Sequence, residues 1–204
     1  MTEVAPADLA AARRQLGRPV RGVAEVAHRC PCGEPDVLRT EPRLPEGTPF
    51  PTTFYATCPR LTGAVSTLET AGVMREMTER LAQDPVLAAG HRAAHESYLS
   101  SRSELGAVPE IAGISAGGMP TRVKCLHVLV AHTLAAGPGV NPLGDEALAM
   151  LDPWWEPTSC AALHAAEDTV DDTADDTAPE SAGDREPSAP SSHGAHESRE
   201  PSDG

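Results

Sequence analysis

The hydrophobic period of this chain changes once, at Cys58-Pro59, and that change limits the fold more than any other feature. Before it, "RGVAEVAHR" (21–29), "DVLRTEP" (36–42) and "TTFYATC" (52–58) alternate or gather β-branched and aromatic residues, which predicts three short strands. "RLPEGTPFP" between the last two is a loop broken by proline and glycine. "ADLAAARRQL" (7–16) predicts a short leading helix stopped by Gly17. After Cys58 the spacing is helical. Leu61, Val65 and Leu68 recur at i, i+4 and i+7, with Pro59 at the first helical position and Gly72 near the end. Val73, Met77 and Leu81 give a second helix, and Asp84-Pro85 starts a third, "PVLAAGHRAAHESYLSSRSEL". "TRVKCLHVLVAH" predicts a helix over about 120–136, and "NPLGDEALAML" a last short one capped near Asp145. "DPWW" ends the body, with Trp154 and Trp155 expected to pin it to the core. Strands first and helices after predict an α+β fold: a small N-terminal antiparallel sheet of about three strands followed by four or five packed helices.

Charge separates two regions. Residues 157–204 hold twelve Asp and Glu against two Arg, a net −10 of the chain's −14. They are rich in Ser, Thr, Pro and Ala and nearly lack large apolar residues, so burial cannot offset the entropy of ordering them. The expectation is a single domain over 1–156 and a disordered acidic tail over 157–204, the tail being the place for any protein partner. Cys160, His164, His193 and His196 fall in that tail and are set aside as ligands. The near-neutral body argues against a general nucleic-acid binder. The N-terminal stretch lacks an apolar leader segment, and no run reaches the roughly 18–20 apolar residues that span a bilayer, so a cytoplasmic location with no membrane partner is expected. In a reducing compartment, five cysteines suggest metal or reactive thiols before disulfides.

"RCPCGEP" sets Cys30 and Cys32 on a tight turn before Gly33, the way zinc knuckles present two sulfurs to one ion. The usual knuckle has two intervening residues; this turn has one. Cys58 stands where a strand meets a helix N-terminus, which favours a thiolate. Cys125 is the fourth sulfur of the expected set Cys30, Cys32, Cys58 and Cys125, for zinc or an iron–sulfur cluster. In the helix expected over about 120–136, Cys125 and His132 share a face about 10.5 Å apart and His127 points about 200° away from Cys125, so the three cannot serve one ion.

A second set suggests a polar cleft for an anionic substrate, and hence a small enzyme. His91 and His95 are four apart, with Tyr98 and Arg102 continuing their helical stripe. His95 is the acid/base, Tyr98 the donor and Arg102 the anion contact in this reading, with His127 and His132 as further catalytic candidates and Asn141 and Asp145 carried in on a glycine loop. Gly117 and Gly118 precede a helix expected to begin near Pro120 or Thr121, with Arg122 and Lys124 in its first turns, and the free N–H groups there are a candidate anion site.

"CPCGEP", "GTPFPTTFYATCPRL", "LETAGVMREMTERL", "AHESYL", "AGGMPTRVKCLHVLVAH" and "GPGVNPLGDEAL" occur in that order. Together they resemble the actinobacterial "domain of unknown function 501" family over about residues 13–151. The resemblance implies no activity. Members of that family often lie beside genes for a septum-formation initiator and sometimes inherit its name, which implies a third reading, an adaptor linked to cell division. The septum initiator is a coiled-coil membrane protein, whereas this chain has neither a membrane span nor sustained heptads. The residues themselves rank a cysteine-ligated metal-binding or regulatory module first and leave open whether the chain is an enzyme.

Overall fold

The computed structural model describes residues 4–158, 160 and 162; the rest of the expected acidic tail lies outside the described residues. Helix α1 (Pro6–Leu16) starts on a proline and ends where Gly17 turns left-handed, φ 64°. Strands β1 (Val23–Arg29), β2 (Pro35–Thr40) and β3 (Phe54–Ala56) form one antiparallel sheet in the order β1-β2-β3. Val26 faces Leu38, which in turn faces Tyr55. Strand β2 lies between two neighbours, and its Val37 and Leu38 are fully buried.

Among the described residues five α-helices follow: α2 (Pro59–Thr70), α3 (Val73–Gln83), α4 (Pro85–Ser103), α5 (Leu126–Ala136) and α6 (Pro142–Ala149), with a 3-10 turn at Pro109–Ile111. The α+β order read from the sequence is therefore the order found. Three of the starts have simple causes. Pro59 is preorganised at the first position of α2. The Asp84 carboxylate accepts the N–H groups of Val86 and Leu87 at 2.9 and 3.0 Å, capping α4. Asn141, not Asp145, caps α6 by accepting the Gly144 N–H at 3.1 Å. Asp145 instead takes the Gly139 N–H at 2.8 Å and fixes the preceding loop.

Helix α5 is apolar nearly all round, the mark of a helix enclosed by others. It touches all three strands, α2 and α6, and its Leu126, Leu129, Val130, Ala131 and His132 are fully buried. Gly144 on α6 permits the approach of α6 to α5, since a Cβ there would stand 2.5 Å from the Leu129 carbonyl oxygen. Trp154 is buried in the core and meets Trp155 edge to face at 4.8 Å, as expected of a pinned end.

The helix expected over 120–136 begins only at Leu126. Residues 117–124 instead form a compact turn in which the Arg122 N–H donates to Gly118 O and the Lys124 N–H to Gly117 O, at 3.2 and 2.7 Å. The Val123 N–H donates to Thr78 Oγ1 on α3 at 3.0 Å. Tertiary partners thus take the backbone groups that a helix would have used, and Cys125 is left extended, φ −156° and ψ 115°, at the cap position. Among the described residues, no helix is long and apolar enough to cross a membrane.

Candidate metal centres

The tip of the β1–β2 hairpin is the turn Cys30-Pro31-Cys32-Gly33, closed by the Gly33 N–H on Cys30 O at 2.8 Å and the Cys30 N–H on Glu34 O at 3.0 Å. Gly33 takes φ 94°, which lets the chain double back behind the two cysteines. Cys58 caps α2 beside this tip, and its sulfur lies 3.6 Å from that of Cys160. The sulfurs of Cys30, Cys32 and Cys160 all lie within 4.8 Å of one another. Cys30, Cys58 and Cys160 are 3%, 1% and 2% exposed. Arg60 of α2 holds this end of the chain by donating to the carbonyls of Glu156 and Thr158. Burial pushes the Cys30 thiol up to about 11 and raises that of Cys160 as well. None of the five cysteines is in a disulfide.

The sulfurs brought together are therefore those of Cys30, Cys32 and Cys160, with Cys58 in contact with Cys160. Cys125, the fourth member expected from the sequence, is placed elsewhere, because α5 starts after it and its extended backbone turns it toward α2. Its sulfur is 3.8 Å from His127 Nδ1, and that nitrogen is 3.1 Å from Glu69 Oε1. Glu69, Cys125 and His127 thus bring three ligand atoms within 4.8 Å of one another. The helical geometry that would hold Cys125 and His127 apart does not apply, since Cys125 is outside the helix. The other imidazole nitrogen, His127 Nε2, is 3.1 Å from Thr62 O and 3.4 Å from Ser66 Oγ. Glu69 also accepts the Leu126 N–H at 2.6 Å, so α2 supplies the cap that α5 lacks. The Cys125 contact, reinforced by Glu69, raises the His127 pKa to about 9 against the opposing effect of burial.

The expected polar cleft is not assembled. Tyr98 is fully buried, its hydroxyl accepting the Thr53 N–H at 2.6 Å, with Phe54 edge-on at 5.5 Å. Arg102 donates to the carbonyls of Pro51, Ile111 and Ile114, so its guanidinium ties two loops together and is turned away from any anion. His132 stacks on Phe54 at 5.5 Å. The Asn141 amide donates to His132 Nδ1 at 3.4 Å, and Ser97 Oγ lies 3.4 Å from its Nε2. Burial depresses its pKa to about 4, so it is a neutral core histidine. His95 pairs with Ser115 Oγ at 2.8 Å, while His91 reaches Arg122 O at 3.4 Å, so the two do not act as one chelate. His28 of β1 pairs with Asp36 at 2.7 Å. A groove of about 690 Å³ between α4 and residues 106–113 holds little chemistry beyond the occupied Arg102.

Gly117, Gly118, Arg122 and Lys124 do line one cleft, of about 630 Å³, together with Cys125. They do so as the hydrogen-bonded turn described above, and the Arg122 and Lys124 N–H groups expected to be free are taken.

Two ligand candidates escaped the sequence reading. Cys160 was placed in the tail by its composition, although two tryptophans stand just before it. Glu69 was passed over although Thr62, Ser66 and Glu69 repeat at i, i+4 and i+7, a polar stripe beside the apolar Leu61-Val65-Leu68 face of the same helix.

Comparison with curated proteins and with solved structures finds no match. A family model described as "Protein of unknown function (DUF501)" matches residues 26–149. That span holds Cys30, Cys32, Cys58, Glu69, Cys125 and His127, and leaves out Cys160. It covers more than half of the chain, and the protein belongs to that family.

Proposed function

We propose that the protein is a zinc-binding module in which Cys30, Cys32, Cys58 and Cys160 hold one ion. The observation that carries this reading is the group of three sulfurs from a hairpin tip and the segment after Trp155, Cys30, Cys32 and Cys160, with a fourth from a helix N-terminus, Cys58, against Cys160. Tetrahedral zinc with Zn–S of about 2.3 Å places its sulfurs about 3.8 Å apart. Cys30, Cys32 and Cys160 lie within 4.8 Å of one another and Cys58 is 3.6 Å from Cys160, so one ion held by the first three would draw the Cys58 sulfur in as its fourth ligand. An iron–sulfur cluster spreads its cysteines over different irons and needs wider spacing, which favours zinc of the two.

A closed four-thiolate site buried at this depth serves structure rather than catalysis, because no coordination position is left for substrate. The ion would fasten the hairpin, α2 and the end of the domain to one another. Burial keeps the metal-free Cys30 and Cys160 thiols neutral, so binding expels their protons, and the ion's charge then stabilises the thiolates.

Elemental analysis of the purified full-length protein tests this. Zinc should be present, and one equivalent should be lost in Cys30→Ser and in Cys160→Ser. A metal-free preparation in which Cys58 and Cys160 are joined as a disulfide would overturn the reading in favour of redox chemistry.

A further inference from the structure

We infer that Glu69, Cys125 and His127 form a second metal site, an open one. A zinc ion there is held by the Glu69 carboxylate, the Cys125 sulfur and His127 Nδ1, with its fourth position left for water or an oxyanion. The site shares no ligand with the four-sulfur cluster and stands without it.

Distances come first. Zn–N of about 2.0–2.1 Å and Zn–S of about 2.3 Å in a tetrahedron set neighbouring ligand atoms about 3.3–3.6 Å apart. Nδ1 lies 3.8 Å from Sγ and 3.1 Å from Oε1, and all three ligand atoms are within 4.8 Å of one another. Shifts of a few tenths of an ångström, within side-chain torsions, bring them onto one ion.

The surroundings of the ligands are the second observation. A metal-bound imidazole characteristically gives its other N–H to a carbonyl or carboxylate, which fixes the tautomer and aims the lone pair. His127 Nε2 is placed for this, 3.1 Å from Thr62 O. The Glu69 carboxylate is likewise steadied by the Leu126 N–H at 2.6 Å. Both supports exist before any metal arrives.

Access is the third. Cys125 borders two clefts. One, of about 620 Å³, is also lined by His127, Ser66 and Thr62. The other, of about 630 Å³, carries Arg122 and Lys124. Three protein ligands of mixed type with an open fourth position are the arrangement of catalytic zinc, whereas structural zinc is closed by four. Two cationic side chains on the adjoining cleft select an anionic ligand for that position, a phosphate or a carboxylate. The chemistry such an ion supplies is polarisation of a bound oxyanion or activation of a bound water.

The test uses the full-length protein. Wild type loaded with zinc and freed of excess should carry about two equivalents, and His127→Ala about one. Glu69→Gln keeps an acceptor for the Leu126 N–H and guards against a folding failure; it should also lose the second equivalent or weaken it at least tenfold. With cobalt in place of zinc, the mixed sulfur–nitrogen–oxygen spectrum should vanish in His127→Ala and leave the four-sulfur spectrum behind. Inorganic phosphate should shift the mixed band in wild type and shift it less in an Arg122→Ala, Lys124→Ala double variant. His127→Ala with wild-type metal content, or cobalt bands indifferent to phosphate, would overturn the open site. If Cys30→Ser alone removes metal, the sulfur cluster stands and this site falls; if His127→Ala alone does, the reverse holds.

Discussion

Cys160 is 2% exposed and its nearest sulfur is 3.6 Å away, whereas the His127 side chain keeps 27% of its surface in solvent and stands between an acid and a thiol. The two sites draw on overlapping chemistry in opposite surroundings. One, the proposed zinc site, gathers Cys30, Cys32 and Cys160 with Cys58 against Cys160, and would join the hairpin, α2 and the chain after Trp155. The other sets three different ligand atoms at the rim of two clefts, where α2 meets the start of α5. A site built to hold the fold tolerates no vacancy, while a site built to handle a ligand needs one. Substitutions should therefore split by consequence: stability at the first, ligand chemistry at the second.

The largest expected effect is that of Cys160→Ser. Losing one of four thiolates should release the ion and cost on the order of 3–5 kcal/mol, the range of variants that lose a structural metal. For a domain of this size that is a fall of about 10 °C in the melting temperature. Thermal unfolding of wild type and variant, each with measured zinc content, checks it. A drop no larger than that of Cys125→Ser would erase the distinction between the two sites.

Acid should act on the frame the sites share, through His132 on α5. Burial lowers its folded pKa to about 4, against an ordinary value of 6.5. Between those limits the unfolded chain binds a proton that the folded chain does not, so stability is intact above about pH 6.5 and falls as the pH drops toward 4. The loss attributable to this one group reaches about 3 kcal/mol at the low end. His132→Gln retains hydrogen bonding to Asn141 without titrating, and its denaturant midpoint should fall less between pH 7 and pH 4.5. Any acid loss of metal from the cluster is common to both proteins and cancels. Parallel acid limbs would show that His132 is not the group responsible.

Much of this frame could be read from residue patterns. The period change at Cys58-Pro59 marks the passage from sheet to helices, and the turn-forming "CPCG" presents two sulfurs as expected. The failures share a cause. Local spacing places Cys125 inside a helix, but Thr78 and the two glycine carbonyls compete for the backbone before Leu126. Composition assigns Cys160 to a tail, yet Arg60 and the paired tryptophans carry the fold past that boundary. The stripe His91, Tyr98, Arg102 reads as a wet face by polarity, while each of these side chains finds a partner inside the protein. Long-range partners decide all three cases, and a local pattern carries no record of them.

Gly118 tests the turn that delivers Cys125. It holds φ 93°, and an added Cβ would meet Arg122 O at 2.8 Å, a backbone atom that cannot swing aside. Gly118→Ala should cost about 1–3 kcal/mol through strain and the forced shift of that loop. Because the shift is carried toward Cys125, cobalt bound with Glu69 and His127 should change its spectrum while the four-sulfur band stays as in wild type. A change in both bands would mean that the sites are mechanically linked and that the contrast between them is weaker than their separate ligands suggest.

Cys125→Ser should have the smallest effect on stability and a complete one on chemistry. The residue is half-buried and stands at the N-cap position of α5 without a side-chain cap bond, and serine is a better cap than cysteine because its hydroxyl can accept an N–H of the first turn. That gain, about 0.5–1 kcal/mol, offsets the lost contact between sulfur and His127, so the unfolding midpoint should move by no more than about 0.5 kcal/mol in either direction. Removing the soft ligand should nonetheless abolish cobalt binding with Glu69 and His127. In metal-free wild type, a small alkylating reagent should reach Cys125 before Cys58 or Cys160, whose sulfurs are enclosed. If Cys58 or Cys160 is modified first, the buried cluster opens more readily than the site at the rim, and it is the cluster that must be treated as the reactive one.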